Sequence, residues 1–211
     1  MTRIKFCGLR TFEDVHAANE IFPEYVGFVF VPKSKRYITP ETAEKLRGAL
    51  SKKICAVGVF VNENFQTVGE LLNAGIIDAA QLHGDETDDY IKNLRGVTNK
   101  PIIKAFRFDK LEETSADFVL IDAGAGDGKT FDWRLLKNFG REYFLAGGLN
   151  SDNVSDAIKL LQPFAVDVSS GIETDGRKDF CKMAAFANVV RNVNGTNLSL
   201  VPSPLSLRRF L

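Results

Sequence analysis

Strand-like and helix-like segments alternate from end to end of this chain, and few folds accept that order. Apolar runs read as strands at residues 4–7, 25–30, 55–61, 79–82, 102–106, 118–122, 143–145 and 165–169. Helical patterns fall between them at 13–21, 40–50, 65–73, 87–94, 133–139, 152–161 and 180–193. About eight such units in 211 residues point to an α/β fold, a single-domain (β/α)8 TIM barrel. Its loops must be short, because such barrels commonly need roughly 250 residues. A doubly wound open sheet is the alternative, but the first strand–helix turn has no G-x-G-x-x-G.

Local signals mark the element ends. Gly8 frees the backbone after the first strand, and Thr11-Phe12-Glu13-Asp14 opens an amphipathic helix. Pro40 suits a first helical turn with Thr39 as its cap, and Ser151 is placed likewise before Asp152-Asn153. The fifth connection is the weakest unit, since residues 110–115 leave room for about one helical turn. The expectation is therefore a barrel over residues 1–194 with a degenerate fifth helix. Residues 195–211 carry Pro202 and Pro204 and show no hydrophobic period, so they read as a C-terminal tail without catalytic duty.

Lys plus Arg and Asp plus Glu balance at 27 each, so no global field favours nucleic acid or an anionic membrane. Recognition of an anion then falls to single residues. There is no signal-like start and no apolar run near the roughly 20 residues of a membrane span. The three cysteines, Cys7, Cys55 and Cys181, are widely spaced and lack C-x-x-C pairing. That pattern argues against a disulfide framework or a zinc site and favours the reducing cytoplasm.

Side chains alternate along a strand, so Ile4 and Phe6 share one face while Lys5 and Cys7 share the other. With the apolar face against helices, Cys7 points inward at the strand's carboxyl end, where α/β folds place their chemistry. A small buried hydrophobe is the plainer reading of a lone strand cysteine. Other strand ends weigh against it. Gln81 and His83 end the fourth strand, Asp122 ends the sixth, and Asp167 lies inward between Val166 and Val168 in the eighth. In a closed barrel all converge on one mouth.

Two glycine turns add an anion site. Ala146-Gly147-Gly148 follows the seventh strand and Ser169-Ser170-Gly171 the eighth, where barrels commonly bind phosphate through backbone N–H groups. Gly147, Gly148, Ser170 and Gly171 are thus the phosphate candidates, and the ligand class is a small phosphosugar. The loop Pro32-Lys33-Ser34-Lys35-Arg36-Tyr37 is either a solvated charged face or, through Arg36, a two-point grip on a second anion such as a carboxylate.

The motifs Lys5-Phe6-Cys7-Gly8-Leu9, Val26-Gly27-Phe28-Val29-Phe30, Ser34-Lys35-Arg36-Tyr37 and Gln81-Leu82-His83-Gly84 resemble those of the phosphoribosylanthranilate isomerase family. So do Phe131-Asp132-Trp133, Ala146-Gly147-Gly148-Leu149 and the run from Phe164 to Glu173. The matches run in order from residue 3 to about residue 193. The resemblance implies an Amadori rearrangement in tryptophan biosynthesis, without metal or cofactor, in a monomer or homodimer. It implies Cys7 as general base, Asp122 as general acid, Arg36 on the anthranilate carboxylate and Asp167 near the anthranilate nitrogen; Gln81 and His83, by their place at the strand end, are the further substrate-binding candidates.

The residue types suit that chemistry. Ring opening needs a proton on the ribose ring oxygen, and the resulting iminium acidifies the C2′ proton for a thiolate to remove. An ordinary cysteine pKa near 8.5 leaves partial ionisation at neutral pH, and inward Lys5 adds a helpful charge. Two departures from the family pattern stand out. The loop after the sixth strand, residues 123–130, is short and puts Asp127 where the family has Thr or Ser, a carboxylate able either to perturb Asp122 or to compete for its acid role. Asp175 replaces a common proline, with little effect expected.

Two rivals remain. A histidine-pathway sugar-phosphate isomerase resembles a pair of aspartates on strands one and five. Here the fifth strand offers Lys104 and Arg107 but no carboxylate before Asp109. A non-catalytic barrel that only binds a phosphorylated ligand would need neither Cys7 nor Asp122.

Overall fold

Eight parallel strands close into a barrel in chain order, each hydrogen-bonded to the next and the eighth to the first. The open-sheet alternative is thereby excluded. This computed structural model describes residues 1–122, 133–136 and 139–195. Asp127, Phe131, Asp132 and residues 196–211 of the expected tail lie outside the described residues.

The strands are β1 (Arg3–Cys7), β2 (Tyr25–Val29), β3 (Cys55–Phe60), β4 (Ala79–Leu82), β5 (Ile102–Arg107), β6 (Phe118–Asp122), β7 (Tyr143–Ala146) and β8 (Ala165–Val168). The helices are α1 (Phe12–Ile21), α2 (Pro40–Ala49), α3 (Phe65–Asn73), α4 (Asp88–Arg95), α5 (Val154–Leu161) and α6 (Phe180–Val193). A short hairpin, β9 (Glu173–Thr174) with β10 (Arg177–Lys178), follows the eighth strand. No helix among the described residues is long and apolar enough to cross a membrane.

Strand alternation divides the apolar residues into two layers. Ile4, Phe6, Val26, Phe28, Leu82, Val119, Ile121 and Val166 face outward into one cluster with the helices. Tyr25, Val57, Ile103, Leu120, Phe144 and Phe164 fill the barrel interior. Tyr25, Phe118, Phe144 and Phe164 meet there edge-on or tilted at ring separations of 4.9–6.4 Å. The barrel interior is thus a packed core rather than a pore.

Helix starts follow the local chemistry in most places. Thr11 and Asp14 form a reciprocal capping box on α1, and Thr39 Oγ1 accepts from Thr42 N above Pro40. Three expectations need correction. The fifth connection forms no helical turn at all, because Thr114 and Ser115 are instead tied to Asp88 Oδ1 at 3.1 and 3.0 Å. With so few residues to share the nucleation cost, bonds to the first turn of α4 win. The expected helix over 133–139 is a 3-10 turn at Trp133–Leu136 among the described residues. Helix α5 starts at Val154 rather than Asp152, since Asn150 Oδ1 accepts from both Asp152 N and Asn153 N and holds that stretch as a turn. Ser151 is therefore not its cap.

Candidate active site

The carboxyl ends of β1, β4, β6 and β8 bring Cys7, Gln81, His83, Asp122 and Asp167 to one side of the barrel, as alternation requires. Cys7 is only 9% exposed and packs against Val29 and Val59. Gly27 on the neighbouring strand makes that position possible, because a Cβ there would lie 2.7 Å from Cys7 Sγ. Beneath it, Lys5 is fully buried and its Nζ meets Asp167 Oδ1 at 3.0 Å. Asp167, expected beside the substrate, is thus already committed on one oxygen to an interior ion pair.

Burial is the largest influence on the Cys7 thiol and pushes it up; Asp167 pushes the same way, while Lys5 and Lys178 pull it back without cancelling the rise. The ordinary thiol value expected for Cys7 is therefore corrected upward, since removing a thiolate from water costs more than the two cations return. Burial also disfavours the charge on Lys5, but Asp167 and Cys7 outweigh it and hold the ammonium above its ordinary value.

Across the mouth, Asp122 Oδ2 lies 3.6 Å from His83 Nε2, and Gln81 Nε2 donates to His83 Nδ1 at 2.8 Å. An amide nitrogen can only donate, so a neutral His83 carries its proton on Nε2, the nitrogen facing Asp122. Gln81 Oε1 is buried without a hydrogen-bond partner and offers an acceptor to a ligand. Below this row, buried Lys104 donates to Gly84 O at 2.6 Å and to Glu86 Oε2 at 3.0 Å. Glu86 in turn accepts from Gly84 N and Asn62 N, which clamps the loop that follows His83.

Arg36 lies across Gly8, where a Cβ would come within 2.3 Å of Arg36 Cδ and where φ is +84°. Its Nε and Nη2 donate to the two oxygens of Glu173, both at 2.7 Å. The forked edge expected to grip a ligand carboxylate is therefore taken by Glu173 through Nε and Nη2. Lys178 Nζ donates to Glu173 Oε1 at 2.7 Å and to Ser169 O at 3.0 Å, and Ser169 Oγ donates to Cys7 O at 3.0 Å. Burial alone would raise the Glu173 carboxyl, yet the hydrogen bonds and charges of Arg36 and Lys178 hold it down to about 2.

The two glycine turns meet as expected. Gly147 and Gly148 take φ of 94° and 65°, and Gly171 approaches so closely that a Cβ there would sit 2.0 Å from Leu149 O. Ser170–Ile172 forms a single 3-10 turn. The mouth thus gathers a thiol near two lysines, a carboxylate beside an imidazole, a guanidinium and two glycine turns.

Glu173 and Lys178 were missed as site residues by the sequence reading, although a signal was present. Asp175-Gly176 is a hairpin dipeptide of the kind that takes φ > 0 at both positions, here 51° and 74°. Read as a two-residue turn, it pairs Glu173 with Lys178, as the register confirms. Asp175 is also less innocent than expected, since a proline ring holds φ near −65° and is barred from this conformation.

The family model described as N-(5'phosphoribosyl)anthranilate (PRA) isomerase matches residues 4–189. The N-(5'-phosphoribosyl)anthranilate isomerase of Thermoanaerobacter sp. (strain X514) is 45% identical over 203 residues, covering 92% of this chain and all of that protein. The crystal structure of phosphoribosyl anthranilate isomerase from Thermotoga maritima superposes with a TM-score of 0.81 at 36% identity, covering 92% of this chain and 100% of that one. A phosphoribosyl anthranilate isomerase in complex with reduced 1-(o-carboxyphenylamino)-1-deoxyribulose 5-phosphate superposes with a TM-score of 0.79 at 35% identity, covering 91% and 100%. With the family model matching residues 4–189 and a relative 45% identical over nearly the whole length, the chain belongs to the phosphoribosylanthranilate isomerase family.

Proposed function

We propose that this protein converts N-(5'-phosphoribosyl)anthranilate to 1-(o-carboxyphenylamino)-1-deoxyribulose 5-phosphate in tryptophan biosynthesis, with Cys7 as base and Asp122 as acid. The observation that carries the reading is the placement of a buried thiol and an imidazole-backed carboxylate on strands of one barrel mouth, inside a chain of this family. Protonated Asp122 gives its proton to the ribose ring oxygen as the C1′–O bond breaks, leaving an iminium. The Nε2–H of His83 faces the carboxylate so formed and stabilises it. Cys7 as thiolate then takes the C2′ proton, with Lys5 and Lys178 offsetting the charge. The enolamine gains a proton at C1′ and loses one from the C2′ hydroxyl, so product and substrate are isomers.

Gly147, Gly148, Ser170 and Gly171 cradle the phosphate, Arg36 receives the anthranilate carboxylate, Gln81 Oε1 accepts from the substrate, and Asp167 lies toward the anthranilate nitrogen. The described cysteines are unpaired, which fits a cytoplasmic enzyme.

Purified protein should consume phosphoribosylanthranilate, followed by loss of its fluorescence, at a rate proportional to enzyme. Cys7→Ala and Asp122→Asn should each lower kcat by about 10²–10⁴-fold, the range for a lost general acid or base. Full activity in either variant, or activity lost in Asp127→Asn while Asp122→Asn keeps it, would overturn the assignment.

A further inference from the structure

Five residues from three parts of the chain form one connected chain of contacts at the mouth. Arg36 after β2 binds Glu173; Glu173 binds Lys178; Lys178 binds the Ser169 carbonyl; and the Ser169 hydroxyl binds the Cys7 carbonyl. Glu173 and Lys178 have side chains only 9% and 2% exposed, so their pairing is not a solvated surface contact. One carboxylate is shared between two cations with different neighbours, the first at the carboxylate-recognition end and the second beside the thiol.

We propose that Glu173 is a positioning residue that couples substrate recognition to the base: it aims Arg36 at the ligand carboxylate and, by sharing its charge, sets how much of the Lys178 charge reaches Cys7. The inference rests on the isomerase reading for its ligand but not for its coupling, which lies in the protein's own contacts. The charged groups around Cys7 are Lys5 on β1, Arg36 after β2, Asp167 on β8 and Lys178 on β10. Glu173 touches two of these four. Removing its charge while keeping its shape frees both cations at once. The guanidinium then loses its orientation, and the thiol gains an uncompensated neighbour. Recognition should worsen while thiolate formation improves, a pair of opposite changes that loss of packing would not produce.

The test compares Glu173→Gln, Lys178→Met and Arg36→Met with wild type in two measurements. The first is the KM for phosphoribosylanthranilate together with the Kd of anthranilate itself, read by fluorescence. The second is the pH midpoint of Cys7 alkylation by iodoacetamide, followed on the Cys7 peptide by mass spectrometry so that exposed Cys181 does not interfere. Glu173→Gln should raise KM and the anthranilate Kd by about 10–100-fold, the loss expected for a charge-assisted contact, and shift the alkylation midpoint down by about one pH unit. Lys178→Met should shift the midpoint up with KM little changed. Arg36→Met should raise KM and shift the midpoint up, because Glu173 then neutralises Lys178 alone. A midpoint in Glu173→Gln that stays or rises, or an unchanged KM and Kd, would overturn the coupling. Should Glu173→Gln fail to fold, the signs in the other two variants decide. A wild type without turnover whose midpoints shift as stated would refute the isomerase reading and leave the coupling standing.

Discussion

Gly27 shows how one missing side chain positions a reactive group. Its hydrogen faces Cys7 Sγ where a methyl group would lie 2.7 Å away, well inside van der Waals contact. Cys7 is buried among Val29 and Val59 and has little room to retreat. Gly27→Ala should therefore rotate or displace the thiol, at a stability cost of about 1–3 kcal/mol for overpacking. Activity should fall much further than stability, because a base moved by about 1 Å loses on the order of 10²-fold. Thermal melts and kcat measured side by side check this, and an unchanged kcat would show that Cys7 has slack that the packing does not reveal. The same scale explains the thiol itself: burial, rather than either lysine, is the dominant influence.

At the scale of elements, the β9–β10 hairpin carries more than its length suggests. It presents Glu173 and Lys178 side by side, and Arg10 staples it to the loop after β2 through Gly176 O at 2.6 Å and Lys35 O at 2.8 Å. Its turn needs positive φ at Asp175 as well as at Gly176. Asp175→Pro should force the turn open, costing about 1–3 kcal/mol in strain or lost pairing. The expected readout is a lower Tm together with a raised KM, since Arg36 loses its fixed partner. Asp175→Gly should leave both near wild type. Equal behaviour of the two variants would mean that the turn has no bearing on Arg36. The helix starts teach a related point. Thr11 and Thr39 cap as their positions imply, whereas the Asn150–Asn153 turn outcompetes Ser151 because two side-chain amide groups bond the backbone there at once.

For the whole molecule, the buried charge network makes stability depend on acid. Glu173 has its folded-state pKa held down to about 2, against an ordinary value of 4.5. Between those values the unfolded chain binds more protons at this group than the folded one, so its contribution is fully present above pH 4.5 and is lost as pH falls toward 2. Urea melts across that window should show wild type losing more stability than Glu173→Gln, which has no carboxyl there to protonate. Parallel curves would indicate that Arg36 and Lys178 do not hold the carboxylate in solution as they do here. The pair also ties β9 and β10 to the loop after β2, so acid should loosen the mouth before the barrel interior.

Alternation and spacing are properties of covalent geometry, and they were legible in the chain itself. A period of two set Lys5 and Cys7 inward and Ile4 and Phe6 outward, and eight repeats closed the sheet. Each strand end that the alternation marked, from Cys7 to Asp167, arrived at the same mouth. What alternation does not carry is which charges meet after closure. Lys5 finds Asp167 162 residues away, and Arg36 finds Glu173 137 residues away, because barrel closure sets β8 and its hairpin beside β1 and the loop after β2. The raised thiol and the lowered Glu173 carboxyl likewise follow from desolvation and from partners that only the closed barrel supplies. Local chemistry decided where each side chain points; tertiary structure decided what it meets and therefore its charge.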